Sequence, residues 1–102
     1  MSLDNLGDGT LPAIYEVTTS SGSRYVLDFR GYRWEGKRYP GPGTPARWLD
    51  GGAPLSLVRA EVGQVLRVSH PTGYGKADAW FTGTVVVSIV RLPDDLVIDW
   101  EA

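Results

Sequence analysis

The sequence contains no cysteine and a single histidine, His70. The first absence excludes disulfide staples, thiolate nucleophiles and Cys-ligated zinc or iron–sulfur sites. The second excludes any site that needs two imidazoles. Long apolar runs are also missing. The longest, Val85-Val86-Val87-Ser88-Ile89-Val90, is strand-length and broken by a serine, well short of the ~20 residues of a membrane-spanning helix. The opening residues Met1 to Gly9 are acidic and lack the apolar segment of a secretory signal. These absences lead to the expectation of a cytoplasmic protein with no membrane contact, no metal and no cofactor.

What is present is one domain's worth of chain. At 102 residues it has room for a single core, and 42% hydrophobic against 22% charged residues sets it apart from disordered sequences. The formal net charge is only −2, which argues against a generally basic, nucleic-acid-binding surface. The distribution is uneven, however. Residues 24–47 carry Arg24, Arg30, Arg33, Lys37, Arg38 and Arg47 against Asp28 and Glu35, an excess of +4. Residues 92–102 carry Asp94, Asp95, Asp99 and Glu101 with no basic residue, an excess of −4.

Thirteen glycines and seven prolines punctuate the chain at the short spacing of an all-β protein. Residues 1–12 read as a loose leader, 13–92 as the β domain and 93–102 as an acidic tail with apolar anchors. Within the domain, Ala13 to Thr19 and Arg24 to Phe29 each alternate with period two. A hairpin through Ser20-Ser21-Gly22-Ser23 would put Tyr15, Val17, Tyr25, Leu27 and Phe29 on one buried face. Pro40 to Pro45 holds three prolines in six residues and cannot sit inside a sheet or helix. Asp50-Gly51-Gly52 signals a turn. Glu61 to Ser69 reads as a strand with a bulge at Gly63. The β-branched run 84–91 reads as a central strand covered on both faces. No sustained helical periodicity occurs; the nearest approach, Ala53 to Val65, contains a proline and a glycine. The expected fold is all-β: a single small β-barrel or two-sheet β-sandwich of about six to eight antiparallel strands.

Two stretches stand out as candidate binding surfaces. In the first, Tyr32, Trp34 and Tyr39 interleave with Arg30, Arg33, Lys37 and Arg38. Single-stranded nucleic-acid binders use that combination, stacking bases on rings while cations follow phosphates. The same alternation equally describes aromatics facing the core and cations facing water. In the second, Leu96, Ile98 and Trp100 offer apolar anchors among the tail carboxylates, a segment suited to docking on a sheet in the same chain or in a neighbour.

Other patterns fail on chemistry. Asp4-Asn5-Leu6-Gly7-Asp8-Gly9 begins like a calcium loop but places Leu6 where an oxygen ligand is required and Tyr15 where the bidentate glutamate belongs. Gly73-Tyr74-Gly75-Lys76 lacks the first glycine and the Ser/Thr of a phosphate loop. A triad of His70, Asp78 and Ser69 or Ser88 has no nucleophile elbow to support it, and a carboxylate pair Glu16 and Asp28 across the first hairpin is the other acid–base arrangement available.

Val17 to Asp28, reading Val-Thr-Thr-Ser-Ser-Gly-Ser-Arg-Tyr-Val-Leu-Asp, resembles the opening hairpin of short β-rich proteins of GC-rich Gram-positive bacteria and their phages. Arg47-Trp48-Leu49-Asp50-Gly51 approximates their central turn, and Val85 to Ile89 their closing strand. The resemblance implies an accessory protein with no assigned reaction and transfers no functional residue. The expectation is therefore a non-enzymatic binding or assembly module, with a protein partner or self-association favoured. A single-stranded nucleic-acid-binding barrel is the alternative, and an enzyme acting through His70 the remaining one.

Overall fold

The computed structural model describes residues 2–6, 12–31, 34–45, 48–70, 79–93 and 95. Among the described residues nine strands run in chain order: β1 (Ser2–Leu3), β2 (Asn5–Leu6), β3 (Ile14–Thr19), β4 (Arg24–Asp28), β5 (Trp34–Tyr39), β6 (Ala53–Leu55), β7 (Leu57–Glu61), β8 (Val65–His70) and β9 (Ala79–Leu92). The one helical element among the described residues is a 3-10 turn, Trp48–Gly51. No helix among them is long and apolar enough to cross a membrane.

All strand pairings are antiparallel, in the order β2-β7-β8-β9-β3-β4-β5-β6, with β1 alongside β9. The all-β expectation holds. The hydrogen-bonded path is not closed into a barrel: β2 and β6 are its ends. β6 and β7 are separated only by Ser56, whose N–H donates to the Ser69 carbonyl at 2.8 Å. At that residue the chain leaves its ladder with β5 and begins its ladder with β8.

The expected hairpin of β3 and β4 forms, with Tyr15 opposite Leu27 and Val17 opposite Tyr25. These four and Phe29 are buried in a core shared with Leu49, Leu66, Val68, Phe81, Val86 and Ile89. Tyr25 meets Phe81 edge to face at 5.8 Å, a favoured ring geometry. Mid-strand Gly36 lets β5 approach closely, since a Cβ there would lie 2.7 Å from Leu55 Cδ1 and 3.0 Å from Leu27 Cδ2.

Three expectations are corrected. Residues 2–6, expected in a loose leader, pair with β9 and β7. Gly63, expected as a bulge in one continuous strand, instead turns the chain between β7 and β8 with φ +92°, a left-handed value that glycine adopts without steric cost. The run 84–91 is central in sheet order but not covered on both faces, because Val85 and Val87 are exposed. The cause is two irregularities in β9. Val65 pairs with Val85 but Arg67 with Thr82, and Thr18 pairs with Ser88 but Thr19 with Val86, leaving Val87 as an extra residue. Such bulges bend a strand and reverse which residues face inward. β9 thereby pairs β8 with its first half and β3 with its second.

Candidate functional site

The described residues of the basic, aromatic stretch do not form one exposed patch. Tyr32 and Arg33 lie outside the described residues. Trp34 packs on the core and stacks on Phe29 with centroids 4.5 Å apart. Arg30 is exposed and folds back on Asp28, its Nη2 donating to Oδ2 at 3.0 Å and its Nε and backbone N–H donating to Oδ1. Burial alone would raise the Asp28 pKa, but the hydrogen bonds and charge of Arg30 outweigh it and hold the carboxyl below its usual value. Tyr39 lies between two cations on the face away from the core, with Arg24 Cζ 5.3 Å and Lys37 Nζ 5.5 Å from its ring centroid. Lys37 itself is buried.

Arg38 is likewise not a solvated cation. It pairs with Tyr25 across the ladder, turns to the core side of the sheet and is only 5% exposed. Its Nη1 donates to Asp50 Oδ1 at 2.8 Å and to the Pro45 carbonyl at 3.1 Å; its Nη2 donates to Thr44 Oγ1 at 3.0 Å and to Ser23 Oγ at 3.4 Å. The planar guanidinium fork suits this multi-pronged role. It ties the proline-rich loop to both the 3-10 turn and the β3–β4 turn. Gly41 completes the join: its N–H donates to Ser23 Oγ at 3.0 Å, and a Cβ there would lie 2.5 Å from the Ser21 carbonyl oxygen. Arg38 is therefore a structural clamp.

The carboxylate pair is also rearranged. Glu16 faces Val26 and Asp28 faces Ile14, and each carboxylate pairs with its own arginine, Glu16 with Arg24 at 3.5 Å and Asp28 with Arg30. Of the triad candidates, Asp78 lies outside the described residues. Ser69 is buried with its hydroxyl 2.8 Å from that of Ser56, and Ser88 is opposite Thr18 on a different ladder. The docking residues Leu96, Ile98 and Trp100 lie outside the described residues.

A surface not singled out in the sequence emerges on the outer face of β7, β8 and β9. Arg59 and Arg67 are direct partners across the β7–β8 ladder, and both are exposed. Arg67 Cζ lies 4.7 Å above the ring of Trp80, a large aromatic left 46% exposed. Among the described residues Arg59 has no ion pair or hydrogen bond. The two arginines line an open groove of about 500 Å³ together with Asn5, Leu57, Glu61 and Val65. At one end it runs into exposed valines: Val65 pairs with Val85, and Val62 bridges to Val86 beside Val87. On this face two like charges, with Glu61 beside them, adjoin exposed apolar side chains. The signal was present as Arg59 and Arg67 between inward-facing apolar neighbours, but the register that sets them opposite each other is a long-range property.

Comparison with protein-family models, curated proteins and solved structures yields no match for this chain.

Proposed function

We propose that the protein is a non-enzymatic binding module that uses the outer face of β7, β8 and β9 to hold an extended, acidic and apolar segment of a protein partner. The observation that carries this reading is the Arg59–Arg67 cross-strand pair beside exposed Trp80. Like charges directly opposite each other on a sheet are locally unfavourable, and a local rule broken in this way is characteristic of functional surfaces. A partner carboxylate would relieve the repulsion, while its apolar side chains would cover Trp80 and the valine corner. Arg and Trp are the residue types that most often dominate interface energy. In this reading the molecule is a partly closed β-barrel, supported by the one-residue junction at Ser56, with the binding face on its outside wall.

Panning a displayed library of linear peptides should enrich sequences that combine Asp or Glu with aliphatic residues. The Arg59→Glu/Arg67→Glu protein should fail to bind them. Enrichment of basic or neutral peptides, or binding unaffected by that double substitution, would overturn the proposal. Light scattering covers the case in which the partner is a second copy of this chain: a dimer that Val85→Asp dissociates would identify it.

One observation supports a second reading. Arg67 stacked on an exposed Trp80 is also a platform on which an unpaired base could stack. Fluorescence anisotropy with labelled oligonucleotides separates the two: salt-sensitive binding lost in Trp80→Ala would favour nucleic acid, and no binding at low salt would remove it.

A further inference from the structure

β7 has an open edge beside the two arginines. On one side Leu57, Val58 and Arg59 pair with Ser69, Val68 and Arg67 of β8. On the other side β2 is only two residues long and covers Ala60 and Glu61 alone. Among the described residues no strand pairs with Leu57, Val58 or Arg59 on that side. N–H and C=O groups left unpaired along a strand edge are a template for another strand.

The groove follows this edge. Its lining takes in every residue from Leu57 to Glu61, including Val58 and Ala60, whose side chains are buried in the core. Those two meet the groove through their main chain. On β8 only the outward Val65 and Arg67 line it, and the buried Leu66 between them does not. The charges then select the occupant. In a strand added beside β7, the outward residue next to Arg59 would have Arg59 and, one strand further, Arg67 on the same face. A carboxylate there makes the opposite-charge cross-strand pair that Arg67 denies to Arg59. Side chains alternate along a strand, so the neighbours of that acidic residue turn to the buried side, where Leu6 and Val58 lie, and aliphatic residues suit them.

We propose that β7 holds its partner by strand addition: an extended segment pairs with the open edge at Leu57 to Arg59, antiparallel as β2 is, with acidic residues outward beside Arg59 and aliphatic residues between them turned inward. This mode rests on the acidic, apolar partner proposed above and adds how it is held and in what sequence pattern. The open stretch is about 10 Å long, so a motif of about five residues spans it.

The probe is a capped peptide, Val-Glu-Val-Glu-Val, with two N-methylated forms, one methylated at the valines and one at the glutamates. A paired strand donates to its neighbour from alternate residues only. In calorimetric titration one methylated form should therefore lose binding at least tenfold while the other binds like the parent peptide. In the complex, at least one amide of Leu57 to Arg59 that exchanges freely without peptide should slow at least tenfold by NMR. Equal affinity of the two methylated forms, or loss in both, overturns strand addition and leaves the acidic partner standing. Failure of the parent peptide while panned acidic peptides still bind overturns the motif in the same way, and failure of every acidic peptide overturns the underlying reading as well. Edge amides that are all protected before peptide is added would mean that this chain or a second copy already fills the edge, which also overturns the proposal.

Discussion

Arg59 on β7 and Arg67 on β8 stand directly opposite each other in an antiparallel ladder, on the same exposed face, with only Arg67 stacked on a ring. A sheet optimised for stability alone would place opposite charges or a β-branched pair at these positions. Arg59→Ala should therefore stabilise the free protein, by about 0.2–1 kcal/mol, in urea denaturation at low salt. The gain should shrink at high salt, where screening already removes the repulsion. The same substitution should weaken capture of acidic peptides, so that stability and binding move in opposite directions.

The clamp at Arg38 predicts a different pattern. Arg38→Lys keeps the charge but cannot reach Asp50, Thr44, Ser23 and the Pro45 carbonyl at once. Both Arg38→Lys and Arg38→Met should lose stability, the latter by about 3 kcal/mol, the lower end for breaking a buried ion pair, because Asp50 retains some contact with water. Chemical denaturation measures both. Equal stability of the lysine variant and the parent would contradict the clamp.

At the centre of β5, Gly36→Ala places a methyl group against Leu55 and Leu27. Overpacking of this kind costs about 1–3 kcal/mol. Leu55→Ala creates space at the same point, so the double variant should be more stable than the two single losses added together. A double-mutant cycle reads that coupling directly.

Asp28 gives a pH dependence of fixed sign. Its pKa in the folded protein is lowered, so its contribution is fully present above the unfolded value of about 3.9. That contribution is lost as the pH falls through the folded value, because only the unfolded state then gains a proton. The stability difference between the parent and Asp28→Asn should thus be flat from neutral pH down to about 5 and shrink below about 4. Thermal melts across that range test it, and a difference that grows on acidification would refute it.

The β3–β4 hairpin was legible in the sequence because period-two alternation and a Ser/Gly loop both act locally. The role of Arg38 was not. Gly36, Lys37 and Arg38 are all buried in succession, which no alternation rule anticipates, and the partners Ser23 and Asp50 come from distant turns. The Arg59, Arg67 and Trp80 surface was hidden for a related reason: each arginine looked like an ordinary outward residue until the register placed one opposite the other. The run 84–91 misled because its composition favoured a buried strand, whereas two bulges turn Val85 and Val87 outward.

The division of β9 between two ladders also constrains how the chain assembles during synthesis. β3, β4 and β5 can join as soon as they leave the ribosome, since each pairs with its neighbour in sequence. The free edge of β3, however, must wait for Val86 to Leu92, some seventy residues later. Until then it presents unpaired N–H and C=O groups to any other nascent chain. Completion of this sheet is thus tied to β9, and ribosome stalling before residue 92 would leave an aggregation-prone, half-built sheet. The low-contact-order half should form quickly and the β3–β9 closure slowly.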